Sequence, residues 1–501
     1  MSIPAGEPQP PAITTQVVKR IVIDPVTRVE GHGKVTVVLD EDGRVRRARL
    51  HIVEFRGFER FIQGRFYWEV PVIVQRLCGI CPVSHHLTAA KAMDHIVGVD
   101  RLTPVAEKMR RLMHYGQMLQ SHSVHFFHLA SPDLVMGMDA DPSVRNVAGV
   151  LGRNRELAHR GIMMRKYGQE IIDATAGKRI HGTGAVPGGI NKNLPIADRD
   201  RFRPAIDEIV RWSHETVAFI AEYTMAHLRD LMPLGTFESN SLSLVGPKGA
   251  LEWYDGNLRA IDTAGGTLFD NVSPADYLDH ILEEVRPWTY MKFPFFRSLG
   301  PERGWYRVGA LARMNTCTCI DTPLAHQARS ELFENAGGPP NHMGMLYHWA
   351  RIIEVLHAAE KIRQLLDDPD LQDTHLVTRG HRRREAVAAL EAPRGTLFHH
   401  YQVNNQDLVT RANLIVSTTQ NNEPMNRAVE QVARNVIDGK GRIDEPDLNR
   451  IEAAIRAYDP CLSCATHAVG KMPLVVEVCD ADGAVLQRRG RGDCGLRTDG
   501  S

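Results

Sequence analysis

Two Cys-x-x-Cys motifs, Cys78-Gly-Ile-Cys81 and Cys461-Leu-Ser-Cys464, stand 379 residues apart near the two ends of a 501-residue chain. A short turn of this kind chelates one metal through both sulfurs, and two such turns make a four-thiolate set. Zinc ribbons hold their two halves about 15 to 20 residues apart. Here only the whole fold can join them, which favours a buried centre of a soft metal, nickel, copper(I) or iron, over a structural zinc. Four thiolates on a divalent ion leave a formal charge of about −2, tolerable inside a protein only beside cationic or hydrogen-bonding neighbours. Arg76 and Arg394 are the expected cations. A redox-active dithiol usually opens a helix in a small thioredoxin-like unit, and the long helical patterns of this chain argue against it.

The other cysteines are few, with eight in all, so a disulfide scaffold is not indicated and a reducing compartment is expected. Lys and Arg number 60 against 60 Asp and Glu, which excludes binding to nucleic acid through a general basic field. The charge-dense stretch from Leu366 to Arg384 lacks interleaved aromatics and reads as a solvated face. No segment approaches the roughly 20 apolar residues of a membrane span. The Pro-rich start, Met1 to Thr15, lacks the features of a secretory signal and reads as a flexible lead-in.

Patterning predicts an α+β protein that is predominantly α, a long helical bundle with small β-hairpins at the N-terminus and periphery. Lys34 to Phe55 alternates around Asp42-Gly43, and Leu474 to Leu486 does so around Asp482-Gly483; both read as hairpins. Ile206, Ile209, Val210, Val217 and Ile220 share one helical face, and Leu346, Trp349, Ile353, Leu356, Ile362 and Leu366 make a longer stripe. The expected division is a lead-in at 1–15, an α+β region with the first motif at 16–100, a mainly helical body at 101–390, a region with the second motif at 391–467, and an extension at 468–501.

Arg76-Leu-Cys-Gly-Ile-Cys-Pro-Val-Ser-His85 and Asp459-Pro-Cys-Leu-Ser-Cys-Ala-Thr-His467 resemble the two signature motifs of the large, catalytic subunit of [NiFe]-hydrogenases. Asp24 to His32, Phe55 to Glu59, Val308 to Arg313 and Pro393-Arg-Gly395 follow the same family, so the resemblance spans nearly the full length. The version Cys-Gly-Ile-Cys-Pro-Val-Ser-His-His, with Pro187-Gly-Gly189, is most similar to the cytoplasmic bidirectional group that couples hydrogen to NAD.

The resemblance implies that Cys78 and Cys461 bind nickel terminally, that Cys81 and Cys464 bridge nickel and iron, and that the iron carries carbon monoxide and cyanide. It implies Ser417 as hydrogen-bond donor to one cyanide, with Arg76 and His85 beside the cofactor, and Glu59 and His467 as side chains holding magnesium or a similar ion. The reaction implied is heterolytic cleavage of H2, which needs a base within hydrogen-bond reach. Cys461 passing a proton to Glu30 is preferred to Arg394 as base, because a guanidinium is always protonated; Arg394 is expected to polarise and position, with Asp459 orienting it. An isolated glutamate beside Arg28 would read as a salt-bridge partner, and only the family motif lifts Glu30 above that.

Many family members carry an acidic residue where this chain has Ser121, so the surroundings of Arg394 are expected to be less charged. The 34 residues beyond His467 resemble the extension that a dedicated endopeptidase removes during maturation, taking Cys479 and Cys494 with it, while Cys317 and Cys319 read as core thiols. With four cysteines assigned to the metals, no cysteine set remains for an iron-sulfur cluster, which needs about four thiolates of its own, and no Gly-x-Gly-x-x-Gly follows a strand, so neither cluster, flavin nor NAD is expected in this chain. The implied partners are a small iron-sulfur subunit, flavin-bearing diaphorase subunits, and maturation proteins. The alternatives are the same chemistry with NADP, a deazaflavin or polysulfide as acceptor, or a non-catalytic zinc-stabilised scaffold. The related quinone-reducing subunit of complex I lacks the paired cysteines.

Overall fold

Alternating burial along Gly33–Leu39 and Val45–Ile52 turns valines and leucines inward, and Gly43 at φ +74° closes the turn between them. This is the expected hairpin, but Arg20–Ile23 adds a third antiparallel strand against its first. We name these β1 (Arg20–Ile23), β2 (Gly33–Leu39) and β3 (Val45–Ile52). The computed structural model describes residues 20–466 and, as backbone, the strands Val475–Cys479, Val485–Gly492 and Gly495–Arg497. The first two of those strands pair antiparallel, as expected of the second hairpin, and its Asp482-Gly483 turn lies outside the described residues, as do Met1 to Thr15.

The body is built on five long helices, α1 (Pro82–Ile96), α2 (Pro104–Val124), α3 (Arg155–Ala176), α4 (Ile196–Ala226) and α5 (Leu346–Leu366). Pro at the first turn of α1 and α2 suits helix starts, where a missing N–H costs nothing, and Thr103 caps α2 by accepting from Ala106 N. Helix α2 packs along α3, and α5 lies against both α4 and α2. The α2–α3 crossing is close because glycines meet there: a Cβ on Gly168 would sit 2.7 Å from the Gly116 carbonyl. Of the two stripes read from the sequence, the one on α5 is buried nearly all round, which makes α5 the central helix.

Besides two small two-stranded sheets, two larger sheets among the described residues escaped the patterning. Asn240–Val245, Asn257–Ile261 and Thr267–Val272 pair antiparallel inside the stretch expected to be helical, with Tyr306–Arg307 added in parallel. The other comprises β4 (Glu385–Ala392), β5 (Gly395–Val403) and β6 (Val409–Ile415), in the order β4-β5-β6. Strand β5 is buried on both faces, so it shows no alternation of polar and apolar residues for sequence reading to detect. Its tight β4–β5 turn presents Pro393 and Arg394. Two further helices, α6 (Asn422–Ile437) and α7 (Glu445–Ala457), bring the chain back to the second Cys-x-x-Cys motif. Among the described residues no helix is long and apolar enough to cross a membrane.

Candidate metal centre

Cys78 follows a tight helical turn, Val74–Leu77, and Cys81 stands at the N-cap of α1. The backbone N–H groups of Ile80 and Cys81 point at Cys78 Sγ from 3.2 and 3.1 Å, so the turn itself solvates a sulfur anion. The second pair comes off the end of α7. Asp459, at φ +52°, and Pro460 reverse the chain; Cys461 N then donates to Thr418 Oγ1 at 3.0 Å and Leu462 N to the Glu30 carbonyl at 2.9 Å. The four sulfurs gather within 4.8 Å of one another, all buried. Cys461 Sγ lies 3.1 Å from Cys78 Sγ and 2.7 Å from Cys464 Sγ.

Four thiols in such a space cannot all ionise unaided. Burial and the neighbouring sulfurs push Cys461 and Cys464 well above the usual thiol range. Burial acts on Cys78 too, but hydrogen bonds from Cys461, Cys464 and Cys81 and the charge of Arg394 hold it well below that range. A soft metal cation supplies the missing positive charge, and the donor set fits one. The protein's own cation here is Arg394, buried in the β4–β5 turn. Although burial opposes its charge, Asp459 and the sulfurs of Cys461, Cys81 and Cys78 hold it firmly protonated.

Arg394 donates through Nε to the Asp459 carbonyl at 2.5 Å, through Nη2 to Asp459 Oδ1 at 3.0 Å and through Nη1 to Ser121 Oγ at 3.3 Å. Ser121 on α2 thus meets Arg394 with a hydroxyl, the uncharged contact expected from the sequence. Glu30 Oε2 accepts from the Cys461 thiol at 2.9 Å and from Ser463 N at 3.2 Å, and its Oε1 accepts from the Ser463 hydroxyl. One acidic and one basic side chain thus adjoin the second motif, Glu30 in contact with Cys461 and Arg394 with Asp459.

The remaining residues are placed as follows. Arg76 is exposed, and its carbonyl accepts from Arg56 Nη2 at 2.9 Å. Of the two arginines expected as neighbours of the sulfurs, Arg394 is the one whose charge acts on them here, while Arg76 turns its side chain to the surface of this chain. His85 is buried one turn along α1 from Cys81, its Nδ1 3.2 Å from His399 Nε2. Ser417 is buried and donates to the Gly395 carbonyl at 2.6 Å. Glu59 is buried, with Oε1 accepting from Leu414 N at 2.8 Å. His467 lies outside the described residues; Thr466 before it accepts through its carbonyl from Arg56 N at 2.9 Å. Cys317 is a core thiol, pushed up to about 11 by burial, and Cys319 is half-buried.

Sequence reasoning missed Thr418, which fixes Cys461, and Ser463, which grips Glu30. Ser463 sits inside its motif, where a hydroxyl was legible; nothing in the sequence marks Thr418.

A model of the nickel-dependent hydrogenase family matches residues 56–148 and 249–467, and a HoxL-like model matches residues 20–55. The chain is 48% identical over 487 residues to the beta subunit of the NAD-reducing hydrogenase HoxS of Cupriavidus necator, covering 94% of this chain and 100% of that one. It is 40% identical over 476 residues to one subunit of the F420-non-reducing hydrogenase of Methanothermobacter marburgensis, covering 94% and 99%. The crystal structure of an NAD+-reducing [NiFe]-hydrogenase in the H2-reduced state matches with a TM-score of 0.88 at 54% identity, over 90% of this chain and 99% of that chain. The chain belongs to the nickel-dependent hydrogenases, as their large subunit. It is an oxidoreductase, and its four-cysteine group is the place for a nickel–iron centre.

Proposed function

We propose that this chain cleaves H2 reversibly and heterolytically, with electrons leaving through a small iron-sulfur subunit to a flavin-bearing module that reduces NAD+. The observation that carries this reading is the gathering of four buried sulfurs with the Glu30 carboxylate in contact with one of them and the Arg394 charge held by Asp459 and the sulfurs. The NAD coupling is supported by the likeness to two proteins described as NAD-reducing.

The residues fit a nickel–iron pair, which Cys78, Cys81, Cys461 and Cys464 would hold. Such a pair acts as a Lewis acid that makes bound H2 acidic. The chain's own part is to receive and export the proton. The Cys461 thiol already donates to Glu30 Oε2, which makes the thiol-to-carboxyl transfer a single short step. Arg394 cannot serve as base, because Asp459 and the sulfurs keep its proton on; it supplies a fixed positive charge above the sulfurs and a hydrogen-bonding wall that orders the site. Asp459 orients it through two contacts.

The same reading includes carbon monoxide and cyanide on the iron, with Ser417 as donor to one cyanide and His85 beside Cys81. It includes Glu59 and His467 holding magnesium, removal of the segment after His467 by a maturation endopeptidase, and a cytoplasmic location. The small subunit, the diaphorase subunits and the maturation proteins are its partners.

The test is purification of the assembled complex, with nickel and iron measured beside H2-dependent reduction of NAD+. Nickel and iron together with NAD+ reduction are expected. Dye reduction without NAD+ reduction would move the assignment to another acceptor, and zinc alone without H2 uptake would overturn it.

A further inference from the structure

Helix α5 brings a buried guanidinium, Arg351, close to this site without placing it among the sulfurs. The helix carries Tyr347, Arg351 and Glu354 at a spacing of four and three residues, so all three share one face. Each reaches a different loop around the centre. Tyr347 OH donates to the Val308 carbonyl at 2.9 Å. Glu354 receives Arg313 through Nε at 2.5 Å and Nη2 at 2.6 Å, and Arg313 in turn donates to the carbonyls of Ala392 at 3.0 Å and Pro393 at 3.2 Å, just before Arg394. Arg351 donates through Nη2 to the Ala457 carbonyl at 3.0 Å, two residues before Asp459. One helix face therefore anchors the segment entering Arg394 and the segment entering Asp459.

Arg351 is fully buried, and both of its hydrogen bonds go to backbone carbonyls, of Ala457 and Tyr347. A buried guanidinium compensated by carbonyls alone is costly. Burial drives it down to about 10, and the charge that most opposes this is Asp459. The orphan atoms agree: Arg351 Nε is a sealed donor without an acceptor, and Asp459 Oδ2 is a sealed acceptor without a donor. Asp459 itself holds φ +52°, a conformation that costs a non-glycine residue about 1 kcal/mol or more unless its surroundings enforce it. Arg394 holds this turn at Asp459 itself, and Arg351 holds it two residues earlier, at Ala457.

We propose that Arg351 is a positioning residue for the Arg394–Asp459 pair: by binding the Ala457 carbonyl, two residues before Asp459, it fixes the turn into Cys461 and with it the seat of Arg394. This rests on the hydrogenase reading above. It assigns α5 the task of setting two loops, far apart in sequence, to one geometry. A conservative lysine reaches one carbonyl but lacks the planar fork that spans two acceptors.

The experiment uses Arg351→Met and Arg351→Lys in the assembled holoenzyme. For Arg351→Met, nickel content is expected to be unchanged, while kcat for H2 oxidation with a viologen dye falls about tenfold and KM for H2 stays within about twofold. A crystal structure of the variant is expected to show the Arg394 guanidinium and Asp459 displaced. Arg351→Lys is expected to recover part of kcat, and should the methionine variant fail to fold, a fall of about threefold in the lysine variant with a shifted Asp459 is the expected result. Unmoved Arg394 and Asp459, or an unchanged kcat per nickel, overturns the assignment. If the wild-type complex does not oxidise H2, the hydrogenase reading fails, and the crystallographic displacement alone decides the role of Arg351.

Discussion

The Cys461 thiol donates to Glu30 Oε2 at 2.9 Å, and the backbones of the two residues pair as a parallel bridge although 431 positions separate them. The same carboxylate is gripped by Ser463 through both its N–H and its hydroxyl, so its orientation is fixed from the Cys461 side. Glutamine at this position keeps an acceptor for Ser463 but cannot take and release a proton. Glu30→Gln is expected to retain nickel while the D2/H+ exchange rate falls by about a hundredfold or more. Exchange at the wild-type rate would remove Glu30 from the proton path.

Cys461 is the sulfur with contacts to Cys78, Cys464 and Glu30 at once. A serine oxygen there is hard and scarcely ionises, so it replaces neither the soft donor nor the proton carrier. Cys461→Ser is expected to lose nearly all bound nickel, read by elemental analysis, and to keep the segment after His467 uncleaved, read by mass spectrometry. A variant that keeps its nickel would contradict the ligand assignment.

Gly395 follows Arg394 at φ +131°, and a Cβ there would stand 2.4 Å from Val308 Cγ2. Its carbonyl also receives the Ser417 hydroxyl. Gly395→Ala combines an unfavourable backbone angle with an overpacked contact, and a loss of about 2 to 4 kcal/mol is expected in urea unfolding of the purified large subunit. Stability equal to wild type would show that the β4–β5 turn can relax.

Several imidazoles are buried in neutral form. Burial lowers His86 and His114 from 6.5 to about 4, and His348 to about 3. The unfolded chain protonates them near 6.5 and the folded chain does not, so between these values the unfolded state binds more protons. Stability is therefore full above pH 6.5 and declines as pH falls toward 4, by about 2 kcal/mol or more per histidine over the window. Urea midpoints at about pH 7 and about pH 5 measure this, and His114→Gln is expected to reduce the pH dependence by close to one proton. An unaltered slope would mean that His114 is protonated in the folded protein.

Much of the site was legible from the chain because its pieces are local. Each Cys-x-x-Cys is a turn that chelates by itself, and the Asp42-Gly43 hairpin closes over a few residues. The α5 stripe also stood out, as a long run of apolar residues. Strand β5 did not, because burial on both faces removes alternation, and Arg76 misled because sequence adjacency to Cys78 says nothing about which side of a helical turn faces solvent.

Residue types and short spacings by themselves pointed to four soft sulfurs sharing one ion with a cation as neighbour, while the carboxylate Glu30 came from the family resemblance. Only the tertiary structure decided which arginine stands over the sulfurs, which hydroxyls hold Cys461 and Glu30, and that one face of α5 carries both loops of the site. The physical reason is that a local turn is set by a few dihedral angles, whereas a contact between Arg394, Asp459 and Arg351 exists only after α5, β4, β5 and α7 have packed, and no single segment encodes the sum of those packings.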